Sequence, residues 1–242
     1  MGRYFKTLAL MCTLLCTSIA ALAQRGEVRD DYTIQSKILG KSVSYTVYLP
    51  ASYSTDSRSY PVLYLLHGAG GNHASWIEDG ELCRIASETI ASGTAPEMII
   101  VSPQGFMHAY VNAFDGSADY EDFFIKELIP EVEKNFRVMA RRNKRAIAGL
   151  SMGGYGTLYH ALVHKDVFGA CYAMSAVSNN FTHTVEEGRT VTEEEQAYID
   201  SHDIVKIIEN MDDERPQDFH RLRRRRLPAP FQFRDGQGPP CA

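Results

Sequence analysis

Cysteines are few in this chain of 242 residues, which excludes one class of small extracellular scaffold. Of the five, Cys12 and Cys16 belong to an apolar N-terminal segment, which leaves Cys83, Cys171 and Cys241. An odd number of cysteines argues against a disulfide framework. Because Cys171 lies in an apolar run, we expect it to be a small buried hydrophobe.

The sequence also lacks the patterns that bind metals and nucleotides. Gly68, Gly70 and Gly71 form a glycine cluster, but no Lys followed by Ser or Thr comes after it, as a phosphate-binding loop requires. No cluster of metal ligands is visible, so neither a metal ion nor a cofactor is expected. With 44% hydrophobic residues and no internal repeat, the chain predicts one domain with one substantial core.

Long apolar runs are missing everywhere except near the N-terminus. Within residues 1–23, two basic residues precede an apolar stretch that ends in Ala-Leu-Ala. This order is typical of a cleaved secretory signal, and it predicts export to the periplasm or the extracellular space. A membrane anchor is the alternative, but the apolar stretch is shorter than the ~20 residues that span a bilayer. No stable membrane anchor is therefore expected.

After the N-terminal segment, apolar strand-like runs alternate with amphipathic helical ones. Two runs between residues 32 and 50 predict a starting hairpin on an antiparallel edge. Further strands are predicted at 63–66 and 98–102, directly before Ser151 and at 170–177, with helices at 81–92, 120–136, 155–164 and 204–210. Pro130 predicts a kink or a break in the second of these helices. The alternation predicts an α/β fold, with a mostly parallel sheet covered by helices on both faces.

Two acidic residues, Glu121 and Asp122, begin the helix predicted at 120–136. We interpret them as charges that stabilise the start of the helix rather than as catalytic groups. The polar and acidic residues 179–198 are predicted to run over the surface above the functional site.

The most informative motif is Gly-x-Ser-x-Gly at residues 149–153. It follows an apolar strand and precedes a helix-forming stretch, which is the setting of a serine nucleophile on a sharp turn. The alternative, an ordinary Gly/Ser turn with a solvated hydroxyl, is weakened by the upstream sequence PVLYLLHGAGG. That sequence predicts a buried strand running into a glycine-rich loop, as expected for the segment that completes an oxyanion hole.

Four sequences in order, PVLYLLHGAGG, IIVSP, YEDFFIKELIPEVEKNFRV and AIAGLSMGGYGTLYHAL, resemble the putative-esterase family of α/β-hydrolases. The resemblance covers roughly residues 32–213. It implies that Ser151 is the nucleophile and that the backbone N–H groups of Met152 and Ala69 form the oxyanion hole. It also implies that His67 and Gly68 shape the oxyanion loop, with His67 structural rather than the general base.

The resemblance stops before the triad is complete. The family carries its acid in a string like IDCGDDDFL and its histidine in a GGHxW-type stretch, and neither occurs here. The triad acid and histidine are therefore predicted to be absent from this chain. His108 and His183 lie in predicted loops that reach toward the pocket, although a surface position is favoured for both. Four aromatic residues are candidates for an aromatic cleft or, alternatively, for the core: Trp76, Phe106, Tyr110 and Phe114.

The composition changes abruptly at residue 215, after which seven arginines stand against two acids. A permitted set of codons for residues 220–229, read from the second base, encodes IDCGDDDFL. We therefore predict an incomplete hydrolase domain at 24–214 and a frameshifted, disordered tail at 215–242, with the slip near 214–217. A basic nucleic-acid arm and a solvated end are the competing interpretations. The first is disfavoured in an otherwise acidic exported chain, so no nucleic-acid partner is expected.

These observations predict a secreted serine ester hydrolase that acts through an acyl-enzyme, with this chain impaired by its missing triad members. Its substrates are expected to be small-molecule or polysaccharide-linked acyl esters. An acyltransferase that uses the same serine is one alternative. A non-catalytic carbohydrate-binding pseudoenzyme is the other. The oligomeric state stays open.

Overall fold

The computed structural model describes residues 25–179 and 183–213, apart from 184 and 187. The segment predicted as a signal and the tail from residue 215 lie outside the described residues. No helix in the described part of the chain is long and apolar enough to cross a bilayer.

In the part of the chain that the structure describes, six strands form one mixed sheet. In chain order they are β1 (Glu27–Ser36), β2 (Lys41–Leu49), β3 (Val62–Leu66), β4 (Ile99–Pro103), β5 (Arg145–Leu150) and β6 (Ala170–Met174). Their spatial order is β1-β2-β4-β3-β5-β6. The β1–β2 and β2–β4 pairs are antiparallel, and the pairs from β4 to β6 are parallel. The predicted hairpin and the parallel centre are both confirmed.

Helices cover both faces of this sheet. They are α1 (Ser75–Glu78), α2 (Leu82–Ala91), α3 (Tyr120–Phe123), α4 (Ile129–Asn135), α5 (Met152–Val163), α6 (Glu193–Ser201) and α7 (Ile204–Asp213), with short 3₁₀ turns at Ala51–Ser54 and Arg142–Lys144. Successive strand residues point to opposite faces. Tyr64 and Leu66 thus join the core under α3, α4 and α5, whereas Leu65 packs with the apolar residues of α2. The predicted two-sided α/β architecture is confirmed.

Pro130 does not break the helix that contains it. A π-helical turn at Phe124–Leu128 connects α3 to α4, and Pro130 lies in the first turn of α4. Proline has no N–H to donate and its ring crowds the carbonyl four residues earlier, so a wider turn in front of it removes both conflicts. The structure has this π-helical widening in place of the kink or break that we predicted at Pro130.

The strand β6 differs from its prediction. We expected a buried strand and a buried Cys171, but Cys171 is exposed and Tyr172 is 70% exposed. Among the described residues β6 pairs only with β5, so it forms an edge of the sheet. An apolar strand is buried only where another layer of the structure packs on it. The apolar sequence of β6 does not show whether such a layer is present.

Candidate active site

Ser151 occupies a sharp turn between β5 and α5. Its backbone has φ of 54° and ψ of −110°, a region that costs an L-residue on the order of 1–3 kcal/mol. A Cβ added to Gly149 would lie 2.4 Å from the carbonyl oxygen of Gly153, and one added to Gly153 would lie 2.4 Å from that of Leu66. Both flanking positions therefore have room only for glycine, and the strained turn projects the serine out of the sheet.

The start of α5 is fixed to the neighbouring strand. The Ser151 N–H donates to the carbonyl oxygen of Met174 over 2.8 Å, and the Tyr155 N–H donates to that of Ser151 over 2.9 Å. Met152 is the first residue of α5, so its own N–H has no acceptor within the helix. That N–H and the positive end of the helix dipole are available to a negative charge that forms beside Ser151.

The glycine-rich loop after β3 passes directly beside the serine. A Cβ built on Gly68 would lie 3.8 Å from the Cβ of Ser151 and 3.5 Å from the carbonyl oxygen of Leu150. Ala69 and Gly70 follow on the exposed part of the loop. A cleft of about 530 Å³ opens here, with residues 67–72, three residues of α1, Asp79, Gly80 and Leu150 in its lining. The structure thus brings together the segments of the predicted nucleophile and of both predicted oxyanion donors.

His67 is buried, and both of its ring nitrogens are engaged within the protein. Its Nε2 accepts the N–H of Gly105 over 2.9 Å, so Nδ1 carries the proton and donates to the carbonyl oxygen of Gly68 over 2.7 Å. Burial lowers the pKa of this imidazole. A neutral ring held at both nitrogens has no free lone pair for proton transfer, which fits the structural role that the sequence suggested.

The four candidate aromatic residues do not line one cleft. Trp76, from α1, borders the cleft beside Ser151, whereas Phe114 lines a separate pocket of about 370 Å³. Tyr110 is fully buried, and the side chain of Lys41 lies 3.6 Å from the ring centre of Phe106. Of the two alternatives considered from the sequence, Tyr110 takes the core position.

In the described part of the chain, no side chain hydrogen-bonds to the Ser151 hydroxyl. His108 lines the separate pocket, and His183 binds Glu195 over 2.9 Å. Glu121 and Asp122 lie in the first turn of α3, as interpreted from the sequence, but Glu121 also makes contacts within the fold. It is largely buried, with its carboxylate 2.7 Å from Nε2 of His164 and accepting the Tyr159 hydroxyl over 3.1 Å.

Three comparisons with known proteins agree on a family. A family model described as "Putative esterase" matches residues 36–217. A curated endo-1,4-beta-xylanase/feruloyl esterase of Xylanibacter ruminicola is 38% identical over 57% of this chain, which corresponds to 20% of that protein. An acetyl esterase of Caldicellulosiruptor saccharolyticus is 27% identical over 58% of this chain and 53% of its own length. The chain thus spans between a fifth and about half of these relatives.

Solved structures agree as well. A ferulic acid esterase superposes with a TM-score of 0.66 at 35% identity, covering 80% of this chain and 74% of that one. An S-formylglutathione hydrolase from Staphylococcus aureus has a TM-score of 0.59 at 24% identity, which supports the fold alone. The α/β-hydrolase architecture expected from the sequence is therefore confirmed.

Proposed function

Since the chain belongs to the Putative esterase family, we propose that it is a serine carboxylic ester hydrolase with Ser151 as its nucleophile. The observation that carries this proposal is the strained backbone of Ser151, held between two glycines and beside the loop that contains Ala69. A turn of this kind is costly for a serine that only faces solvent. Its strain is accounted for if the hydroxyl has to meet a substrate.

The chemistry follows from the groups around the cleft. Ser151 Oγ attacks the ester carbonyl carbon, and the carbonyl oxygen becomes an anion that accepts the N–H groups of Met152 and Ala69. The C–O bond to the alcohol then breaks, and the alcohol leaves with the proton that Ser151 gives up. Water hydrolyses the remaining acyl-enzyme to the free acid. The serine proton needs a base, and none is bonded to Ser151 among the described residues. We therefore expect this chain to work far below a complete triad enzyme, at the roughly 10³ to 10⁴-fold over water that an oxyanion hole and binding supply alone.

We assign the substrates to short-chain or polysaccharide-linked acyl esters. Support comes from the relatives named as feruloyl and acetyl esterases, together with a cleft that opens widely to solvent beside the oxyanion loop. The N-terminal pattern adds export to the periplasm or the extracellular space to the proposal. No cofactor is required by this chemistry.

A fluorophosphonate probe tests the nucleophile directly. We expect it to label Ser151 of the full chain slowly, because no base is bonded to the hydroxyl among the described residues, and to leave the Ser151→Ala variant unlabelled. The modified peptide is located by mass spectrometry. Ser92→Ala, which changes an exposed serine at the end of α2, is the matched control and should label like the parent chain. Labelling that persists in Ser151→Ala would contradict the assignment of Ser151 as the nucleophile.

The two alternative functions have separate readouts. If the chain is an acyltransferase, adding a sugar or alcohol acceptor during hydrolysis of p-nitrophenyl acetate yields the acylated acceptor in preference to acetate. If it is a carbohydrate-binding pseudoenzyme, calorimetric titration with acetylated or feruloylated xylan gives the same affinity for the parent chain and for Ser151→Ala, without turnover.

A further inference from the structure

Strain is not confined to Ser151, because the loop between β4 and α3 carries three further non-glycine residues with positive φ. These are Phe106 at 51°, Ala109 at 51° and Tyr110 at 66°. This backbone region is unfavourable for a residue with a side chain, and it persists only where surrounding contacts determine it. Ala109 and Tyr110 are also fully buried. The contacts of this loop therefore hold these residues in a conformation that they would not otherwise adopt.

Tyr110 is fixed between the two segments that carry the proposed oxyanion donors. Its hydroxyl donates to the carbonyl oxygen of His67 over 3.0 Å, directly before the loop of Gly68 and Ala69. Its own carbonyl oxygen accepts the Nε2–H of His160, from α5, over 2.8 Å. A Cβ on Gly156, also in α5, would lie 2.8 Å from the Cβ of Tyr110. One buried side chain thus contacts both the oxyanion loop and the helix that Met152 begins.

The same strained loop makes two further contacts to the oxyanion loop. The Gly105 N–H donates to Nε2 of His67, and the Gly70 N–H lies 3.4 Å from Sδ of Met107. A Cβ on Gly105 would come within 2.4 Å of the Tyr110 ring, so the ring position requires glycine there. The oxyanion loop is consequently anchored at its base and near its tip by residues 105–110.

We infer that Tyr110 is a positioning residue, whose hydroxyl sets the orientation of the Ala69 N–H relative to that of Met152; this inference rests on the proposed function. The hydroxyl donates a hydrogen bond to the peptide group between His67 and Gly68, at the start of the loop. Two donors have to converge on one developing oxyanion within about 3 Å, and small displacements of such groups are costly in rate. Tyr110 has positive φ in the conformation in which its hydroxyl reaches His67.

Tyr110→Phe tests this inference, because it preserves the ring and removes the hydroxyl alone. Tyr155→Phe is the matched control, since the Tyr155 hydroxyl is also buried and donates to a backbone carbonyl, that of His202, over 2.8 Å. Two quantities are measured in each full-length variant. They are amide hydrogen exchange in residues 68–71, and the rate constant for labelling of Ser151 by the fluorophosphonate.

We expect Tyr110→Phe to accelerate exchange in residues 68–71 and to slow labelling on the order of tenfold, because the donors are displaced rather than deleted. Tyr155→Phe should leave both quantities within about twofold of the parent chain even where the two variants lose similar stability. Equal exchange in residues 68–71 of the two variants would overturn the inference. If neither the parent chain nor the same chain with its reading frame shifted near codons 214–217 is labelled at all, the proposed function fails, and the exchange measurement alone decides the role of Tyr110.

Discussion

Among the described residues, four histidines have a lowered imidazole pKa, and burial is the first cause in each. They are His67, His108, His160 and His202. His160 is the most extreme, since burial lowers its pKa to about 4. Its Nε2–H donates to Tyr110, while its Nδ1 has no hydrogen-bond partner among the described residues. Protonation would therefore place a positive charge in the core, next to the Phe124 ring.

This burial predicts a loss of stability in acid. Above about pH 6.5 His160 is neutral in both the folded and unfolded states. Between about pH 6.5 and 4 the unfolded chain binds a proton that the folded chain excludes, so the free energy of unfolding falls as the pH falls. The loss from His160 approaches about 3 kcal/mol near pH 4. Urea unfolding of the parent chain and of His160→Gln, at a series of pH values, measures it.

The variant should be less stable than the parent chain at pH 7.5, because it loses packing against Phe124. Its stability should nevertheless decline more gently toward pH 5. Parallel declines in the two proteins would show that His160 does not carry this acid sensitivity.

Among the elements, the turn from β5 into α5 was predicted in most detail from sequence. Small residues at fixed spacing around a serine predict that backbone segments approach each other closely. The structure has this close approach, because a Cβ on Gly149 or Gly153 would overlap neighbouring backbone atoms. The contacts by which residues 105–110 anchor the oxyanion loop were not predicted. Two of these, both hydrogen bonds, join residues 38 and 43 positions apart, and no sequence pattern signals positive φ at Tyr110. Local chemistry is readable from a motif, whereas such long-range support is not.

Gly153→Ala should disrupt this turn. Its methyl group would lie 2.4 Å from the carbonyl oxygen of Leu66 and 2.7 Å from that of His67. These are backbone atoms of a central strand and its loop, so they cannot move without disturbing the sheet. We expect the free energy of unfolding to fall by about 2–3 kcal/mol. Gly68→Ala is the control for stability, since its methyl group meets only ordinary contacts at 3.5 Å and beyond. Thermal unfolding should separate the two variants, and equal melting temperatures would contradict the clash.

At the scale of the whole molecule, the mostly parallel sheet and its covering by helices on both faces were predicted from the sequence, but the exposure of the last described strand was not. The apolar sequence of β6 indicated a core strand, yet Tyr172 is 70% exposed and Leu150, at the end of β5, is 41% exposed. Exposed apolar residues along a strand edge are an aggregation hazard unless another layer covers them. The exposure is consistent with the prediction, still untested, that residues 24–214 form an incomplete hydrolase domain.

Shifting the reading frame by one base near codons 214–217 tests that prediction. The altered gene should encode the acid-bearing string IDCGDDDFL and the sequence after it, in place of the arginine-rich tail. We expect higher soluble expression, because β6 and its neighbours gain a covering layer. We also expect p-nitrophenyl acetate hydrolysis to rise by several orders of magnitude, because Ser151 gains a base. The same frame with Ser151→Ala is the matched control and should abolish the gain. Full activity in the unshifted chain, or sequencing that confirms its frame with codons unrelated to that string, would refute the prediction.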